Sequence, residues 1–313
     1  PPEPAVALAS GQPEAASGGA STLIGAVMAS SAAVMWGTNG VVSHLLFQAG
    51  VTPLTLVESR SIITAVGMGG FLLIVARSRL RLSWRTLPLA LLFGVSLAIV
   101  TYSYFLAIEL LPVAVAVMIQ YTGPSLIALY SALVMRRMPS GRIWAALALT
   151  LVGVALLAGL GSLLTGGAAA SGVTLLGVVV ASGSAVAMAF YILMGERLGK
   201  RVHPQTSVFY GFGIASLIWL AIQPPWSFQT LALQPAHLPL VLDVGIVGTL
   251  VPFGLFLAAV RRLDATRAAI ISTVEPVTAA LISWWLLGEG LDPWQILGSA
   301  LVLVGVTIVQ LKR

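Results

Sequence analysis

The sequence predicts an all-α membrane protein with ten transmembrane helices in two inverted five-helix repeats and both termini in the cytoplasm. Three observations predict this fold. The chain is strongly apolar, its cations are confined to alternate connectors, and its second half repeats the first. Together they indicate how many helices there are, which way each crosses the bilayer, and how the two halves are related.

The first observation is the hydropathy of the chain. Only 8% of the 313 residues are charged, 58% are hydrophobic, and the mean hydropathy is +1.00. A water-soluble domain needs a far larger charged fraction to cover its surface. A helix needs about 20 apolar residues to span a bilayer, and the chain offers ten such runs. We place these spans at residues 22–47, 54–76, 86–107, 112–135, 142–160, 172–195, 205–222, 239–260, 267–287 and 294–311.

The second observation is the position of the cations. Fifteen of the sixteen lysines and arginines lie in or beside alternate connectors or in the C-terminal tail, and Arg60 is the exception. Cationic connectors are retained in the cytoplasm during insertion, so these connectors and both termini are predicted to be cytoplasmic. The basic groups are at residues 77–85, 136–142, 197–201, 261–267 and 312–313, and the cation-free connectors are near 48–53, 107–111, 160–173, 223–238 and 288–293.

The third observation is an internal repeat with a constant offset of 152 residues. Thr22-Leu23-Ile24-Gly25 corresponds to Thr174-Leu175-Leu176-Gly177, and Leu151-Val152-Gly153-Val154 corresponds to Leu303-Val304-Gly305-Val306. Each half holds five spans, an odd number, so the second half enters the membrane in the opposite orientation. Inverted repeats of this kind place a substrate site near the midplane of the bilayer, between the repeats. The alternative is a duplicated scaffold with no transport role.

These observations divide the chain into three parts. Residues 22–161 are predicted to form the first repeat and residues 172–313 the second, within one membrane domain. Residues 1–21 have the Pro, Ala, Gly, Ser and Glu composition of a disordered tail. A signal peptide would require a cationic start and an apolar centre instead. The chain contains no cysteine, which excludes disulfides and thiolate metal ligands within it.

Two prolines mark the centres of the fourth and ninth spans. Pro124 and Pro276 are related by the same offset of 152. Each lacks the N–H that would reach the carbonyl four residues earlier, here Gln120 and Ser272. A freed carbonyl at membrane depth must find a neighbour, water or a ligand. The pair therefore predicts helix breaks or hinges at a transport site, with a kink relieved by a nearby hydroxyl as the alternative.

Two charged residues lie deep in the predicted spans. A charge at mid-bilayer costs about 2.5–3.5 kcal/mol, so Glu275 and Arg60 should each face a cavity or an ionic partner. We expect Arg60 to pair with an acid on another helix, with Glu275, Asp243 and Glu109 as the options. Glu275 is also a candidate proton carrier. The alternative is an ion pair that only holds the bundle together.

Uncharged polar and aromatic residues at similar depth complete the predicted substrate site. Buried Tyr and Trp require a hydrogen-bond partner or water, and an aromatic cavity with a few amides suits an amphipathic organic solute. The predicted substrate-binding residues are Trp36, Asn39, Tyr102, Gln120, Tyr121, Phe190, Tyr191, Ser272 and Glu275. No catalytic residue, cofactor or metal site is predicted, since His44, His203 and His237 are dispersed along the chain.

Signatures of other classes of protein are missing from the sequence. It contains no Walker phosphate loop, no GxSxG turn and no HExxH pair, which argues against direct use of ATP and against a hydrolase. The separated cations indicate topology rather than nucleic-acid binding. We therefore expect membrane lipid and a small-molecule substrate as partners, no nucleic acid, and a monomeric chain.

Short motifs resemble those of the EamA-type transporters of the drug/metabolite transporter superfamily. These are Glu275-Pro276-Val277, Leu287-Gly288-Glu289, Arg60 in the second span, and Leu297-Gly298 with Val304-Gly305-Val306 at the end. The first repeat departs from the pattern, because Gly123 stands where the glutamate before proline would be and the Leu-Gly-Glu echo is lost at Met135–Arg137. The length and the deep aromatics look most like the bacterial amino-acid exporters of the YddG type.

This resemblance implies an inner-membrane, alternating-access exporter of amino acids, aromatic ones included, and of related amphipathic metabolites. A drug or nucleotide-sugar carrier of the same superfamily is the first alternative. Sugar phosphates and nucleotide sugars usually require several buried cations, whereas Arg60 is the only lysine or arginine well inside a span. A lipid-modifying membrane enzyme is the alternative from a different class.

Overall fold

The computed structural model describes residues 14–133, 141–161, 172–263 and 265–310, and all regular structure in these ranges is helical. The first half contains α1 (Glu14–Gln48), α2 (Pro53–Val75), α3 (Leu87–Leu110), α4 (Val113–Gln120), α5 (Gly123–Leu133) and α6 (Gly141–Leu157). The second half contains α7 (Leu175–Gly199), α8 (Pro204–Ile222), α9 (Leu238–Gly245), α10 (Val251–Val260), α11 (Ala265–Ile271), α12 (Val274–Leu287) and α13 (Pro293–Gln310). A π-helical turn at Ile246–Leu250 joins α9 to α10.

The helical segments fall into a long and a short class. Six are long and apolar enough to cross a membrane: Ser21–Gln48, Pro53–Val75, Leu87–Leu110, Leu175–Gly199, Pro204–Ile222 and Leu238–Val260. Four shorter apolar segments are Val113–Ile127, Gly141–Leu157, Val274–Leu287 and Pro293–Ile308. The short segments occupy the remaining predicted spans, so every predicted span contains helix.

The N-terminal region differs from the prediction. Because α1 begins at Glu14, residues 14–21 are helical where the sequence predicts a disordered tail. This stretch contains Gly18 and Gly19 as well as three alanines, so its helix propensity is not high, but it extends an existing helix without a new nucleation step. Residues 1–13, the basic residues at 136–137 and the Lys312–Arg313 tail lie outside the described residues.

The connectors sort onto two opposite faces of the bundle. At one end, the Tyr210 hydroxyl of α8 donates a hydrogen bond to the Leu80 carbonyl in the basic connector after α2, over 2.7 Å. At the other end, Gln229 donates to the Gly50 carbonyl over 2.8 Å and accepts from the Thr52 N–H over 3.0 Å. We call these the basic face and the cation-free face.

The helices α6 and α13, which are equivalent in the two repeats, pack closely against each other. A Cβ added to Gly153 would lie 2.7 Å from the Gly298 carbonyl oxygen, and one added to Gly305 would lie 2.7 Å from the Ala146 carbonyl oxygen. Gly305 is the equivalent of Gly153 in the second repeat, and Ala146 is the equivalent of Gly298 in the first, each with the offset of 152. The two contacts are therefore related by a two-fold axis. The numbering rises along α6 as it falls along α13, which makes the pair antiparallel. The repeats are therefore inverted.

A large cluster of buried apolar residues includes the helix ends at the cation-free face. Leu46, Leu56, Phe105 and Ile108 are completely buried and belong to one apolar cluster with the buried residues of α4. These residues lie in the ends of α1, α2 and α3 that lead to or from cation-free connectors. Packed apolar side chains therefore close this face of the bundle.

Candidate substrate cavity

Two helices are interrupted at symmetry-related positions. The break between α4 and α5 is at residues 121–122, and the break between α11 and α12 is at residues 272–273. Each break immediately precedes one of the two central prolines, which cannot donate a backbone hydrogen bond. The structure thus contains the breaks that Pro124 and Pro276 predict, and a hinge function at these sites stays a prediction.

The Tyr121 side chain connects the two breaks. Its hydroxyl lies 2.8 Å from the Ser272 carbonyl oxygen and 2.8 Å from Oε2 of Glu275. The Ser272 carbonyl, which Pro276 leaves without its usual partner, also accepts from the Glu275 N–H over 3.0 Å. The freed carbonyl is therefore satisfied by a side chain of the opposite repeat as well as by its own backbone.

The contacts of Tyr121 also constrain the hydrogens at Glu275. A tyrosine hydroxyl has one hydrogen to donate and can accept others. It can donate fully to only one of the two acceptors, the Ser272 carbonyl or an ionised Glu275, or share its hydrogen between them. Both contacts are satisfied when Glu275 carries a proton and donates it to the Tyr121 oxygen.

A cavity of about 330 Å³ lies between the repeats and reaches this carboxyl. Nine predicted residues line it: Trp36, Asn39, Arg60, Gln120, Tyr121, Pro124, Tyr191, Ser272 and Glu275. Eight further residues, which the sequence does not predict, also line it: Leu97, Val100, Thr101, Tyr104, Met188, Ile192, Phe253 and Phe256. The walls are mainly apolar, with polar groups contributed by both repeats. Pockets of about 300–1,000 Å³ bind small organic ligands, so the volume suits a small metabolite.

The predicted ion pair between Arg60 and Glu275 is not formed. In the part of the chain that the structure describes, Arg60 has no acid within ion-pair distance, and Asp243 and Glu109 do not pair with it either. Its guanidinium carbon instead lies 4.8 Å from the Phe105 ring centroid. Aromatic faces attract a cation, so the Phe105 ring stabilises the Arg60 guanidinium away from Glu275. The two charged side chains therefore face the cavity separately.

Arg60 and Asn39 each present an unpartnered polar atom at this site. Arg60 is 5% exposed and its Nε has no hydrogen-bond partner, and Asn39 is 4% exposed with its Oδ1 unpartnered. Gln120 differs, because its Nε2 donates to Ser184 Oγ over 2.8 Å. Buried polar atoms without partners are expensive, and the Asn39 oxygen lies against Gly248 rather than in the open space of the cavity.

Two predicted substrate-binding residues and one predicted hinge residue lie outside the cavity. Tyr102 packs against Trp219, with ring centroids 5.7 Å apart, and Phe190 is 45% exposed on the outer surface of α7. Residues two apart on a helix point in nearly opposite directions, so Tyr104 reaches the cavity where Tyr102 does not. Pro276 is buried but does not line the cavity.

The missed residues form patterns that were available in the sequence. Phe253 and Phe256 are three apart on α10, and both contact Trp36, with ring centroids 5.4 and 5.5 Å away. Met188 and Ile192 are four apart on α7. Residues at these spacings share one helix face. Apolar stripes that face a cavity and apolar stripes that face lipid have the same composition. The sequence alone therefore does not identify these residues as cavity-lining.

The fold and the cavity define a membrane transport protein: inverted repeats with broken helices enclose a mainly apolar cavity with a few polar groups at their interface. Residues 23–159 and 175–311 each match the EamA-like transporter family. The chain therefore belongs to that family and is a multi-pass protein of the inner membrane. This confirms the membership that the motifs predict, whereas the finer likeness to YddG-type exporters stays a prediction.

Relatives extend over much of the chain. It is 35% identical over 217 residues to the threonine/homoserine exporter RhtA of Escherichia coli strain K12, which covers 69% of this chain and 68% of the relative. It is 28% identical over 281 residues to the uncharacterized transporter YwfM of Bacillus subtilis strain 168, covering 89% and 90%. A solved crystal structure with 22% identity superposes with a TM-score of 0.57 over 93% of this chain and 96% of the other, and supports the fold alone.

Proposed function

We propose that this protein exports amino acids, aromatic ones included, and related amphipathic metabolites across the inner membrane by alternating access. In this proposal the chain crosses the bilayer ten times with both termini and the basic face in the cytoplasm, as the cation distribution favours. The inverted repeats support two nearly equivalent states that open the cavity to opposite sides. The breaks near Pro124 and Pro276 are the hinges of that exchange.

The observation that carries the proposal is that one small cavity contains both a guanidinium group with no acidic partner and a carboxyl group. Arg60 has no acidic partner in the described ranges, and a planar guanidinium binds a carboxylate through two parallel hydrogen bonds. Glu275, which lines the same cavity, is an acceptor that suits a substrate ammonium group. An α-amino acid carries both groups.

Glu275 provides a route to proton coupling. Its carboxyl holds a proton when Tyr121 donates to the Ser272 carbonyl. A substrate ammonium that takes the place of this proton forms a charge-assisted contact with the ionised carboxylate. A proton and a substrate then compete for the same group, so inward movement of one favours outward movement of the other.

The walls of the cavity determine which side chains it accepts. Trp36, Tyr104, Phe253 and Phe256 form an aromatic lining that buries apolar or aromatic substrate side chains by the hydrophobic effect. The relative RhtA, named as a threonine/homoserine exporter, supports amino acids as the substrate class. The aromatic lining is what favours extending the range to larger, amphipathic substrates.

Counterflow of labelled substrates in proteoliposomes tests this function. We expect saturable exchange for some of the twenty amino acids, and we expect Arg60→Gln to raise KM for them at least tenfold because the carboxylate loses its partner. Arg81→Gln is the matched control, since Arg81 is exposed on the basic face. Absence of saturable flux for every amino acid, or an unchanged KM in Arg60→Gln, would refute the proposal.

Transport assays in the same proteoliposomes distinguish the alternative functions. A nucleotide-sugar carrier would exchange nucleotide sugars, but Arg60 is the only cation among the described residues that line the cavity, which disfavours a polyphosphate substrate. A drug carrier would transport organic cations and ignore amino acids. A lipid-modifying enzyme would alter the vesicle lipids and show no saturable flux.

A further inference from the structure

Three separate parts of the chain meet at Glu289 on the cation-free face. Its Oε2 accepts a hydrogen bond from the Val113 N–H over 2.9 Å, and its Oε1 lies 3.5 Å from Nε2 of His44. Val113 begins α4, His44 lies near the end of α1, and Glu289 lies in the connector between α12 and α13. Glu289 therefore fastens two helices of the first repeat to a connector of the second.

The local backbone explains why Glu289 reaches this position. Gly288 ends α12 with a φ of +69°, a left-handed conformation that glycine adopts without strain. The next residue is thereby directed back across the bundle. The Val113 N–H is one of the unpaired donors of a helix N-terminus, and an anion there is stabilised by the helix dipole. The Leu-Gly-Glu motif thus supplies an anionic cap for a helix in the opposite repeat.

His44 is held by a second acceptor. Its Nδ1 lies 2.9 Å from the Ile108 carbonyl oxygen, which has no partner in its own helix because Pro112 lacks an N–H. A carbonyl can only accept, so Nδ1 carries the hydrogen. A neutral histidine then turns a lone pair at Nε2 toward Glu289, which is also an acceptor when ionised. The contact is favourable only when one additional proton is shared between His44 and Glu289.

The other charged side chains at this face are acids. Glu109, at the end of α3, is exposed, and Asp292 accepts from the Gln295 N–H over 2.8 Å at the start of α13. The connectors of this face contain no lysine or arginine. Protonated His44 is therefore the cation within reach of Glu289. The exposed fractions of the two side chains, 14% and 18%, leave the pair open to proton exchange.

We propose that His44, Glu289 and the Val113 N–H form a proton-dependent latch that closes the cation-free face of the transporter. The latch rests on the proposed transport function, because opening the cavity to this face requires α1 and α4 to move away from the α12–α13 connector. The proton is bound while the latch is closed and is released when it opens. Low pH on this face favours the closed state and rising pH favours the open one.

Spin-label distances measured by pulsed EPR test the latch in the full chain in lipid nanodiscs without substrate. The protein has no cysteine, so Ala49→Cys and Gly290→Cys place one label beside α1 and one in the α12–α13 connector. We expect the ratio of short to long distances to fall as the pH rises, because the closed latch holds the proton shared between His44 and Glu289. The limit for one proton is about tenfold per pH unit.

Two variants and one control decide the origin of the response. His44→Gln and Glu289→Gln should both abolish the pH dependence, and the second keeps an oxygen to accept from the Val113 N–H. His237→Gln is the control, since His237 also places Nδ1 2.9 Å from a carbonyl oxygen, that of Leu231, and forms no ion pair in the described ranges. It should leave the response unchanged.

The outcomes separate the latch from the proposed function. Distances independent of pH in the unsubstituted labelled protein, or a response that survives both His44→Gln and Glu289→Gln, overturn the latch. A pH response that both variants abolish, in a protein that shows no amino-acid flux, supports the latch and overturns the substrate assignment instead. Amino-acid flux in a protein whose distances do not change with pH supports the substrate assignment and overturns the latch.

Discussion

The closest approach of α1 to α12 gives a quantitative prediction about stability. A Cβ added to Gly37 would lie 2.6 Å from the Glu275 carbonyl oxygen and 2.8 Å from Cβ of Thr278, well inside the 3.4 Å at which ordinary contact begins. Because the first obstacle is backbone, the two helices must separate. Overpacking of this kind costs about 1–3 kcal/mol, and replacing a helical glycine with alanine returns about 0.5–1 kcal/mol. We expect Gly37→Ala to lose up to about 2.5 kcal/mol of unfolding free energy, and about 1–3 kcal/mol relative to an unhindered Gly→Ala change.

Denaturant unfolding in a fixed detergent measures this loss, with Gly183→Ala as the matched control. Gly183 is also helical, and its added Cβ meets nothing within 4 Å, so the control should be neutral or slightly more stable. Flux should fall in Gly37→Ala as well, because the displaced backbone belongs to Glu275. Equal stabilities of the two variants would refute the close packing of α1 on α12.

Three further predictions concern the cavity. Tyr121→Phe should lower the unfolding free energy by about 1–3 kcal/mol, because it removes the donor between the broken helices, whereas Tyr130→Phe, on an exposed side chain, should not. Glu275→Gln should make flux in proteoliposomes insensitive to an imposed pH gradient, and a retained response would exclude Glu275 as the proton site. Tyr191→Ala should raise the KM for aromatic amino acids at least tenfold while Phe190→Ala changes it less than twofold, and the opposite order would contradict the assignment of the cavity.

Local sequence features predict the helices and their breaks well because they report on single segments. Hydropathy indicates where the chain is apolar enough to be helical in lipid, and Pro124 and Pro276 indicate where a helix loses a hydrogen bond. The offset of 152 residues predicts that equivalent contacts recur, as Gly153 on Gly298 and Gly305 on Ala146 do. The start of α1 is the exception, since residues 14–21 continue an existing helix despite their tail-like composition.

The composition of the cavity is less predictable because it depends on how each helix is rotated about its axis. The sequence places Tyr102 and Tyr104 at the same depth, and only packing decides that Tyr104 faces the cavity while Tyr102 packs on Trp219. A uniformly apolar helix carries no amphipathic signal for this choice, since lipid and protein interior have the same polarity. The pairing of Arg60 fails for the same reason, because Phe105 is adjacent to Arg60 only in the folded bundle.

The sequence by itself determined a membrane protein built from two related halves, the alternation of basic and cation-free connectors, and family membership through residues such as Glu275 and Pro276. Those properties follow from composition, charge order and short motifs. Only the tertiary structure decided that Tyr121 joins the two broken helices, that Arg60 stands apart from Glu275, and that Glu289 reaches His44 and Val113. The physical reason is that hydrogen bonds and ion pairs act over a few ångströms between residues distant in sequence, and their partners are fixed by helix rotation and packing.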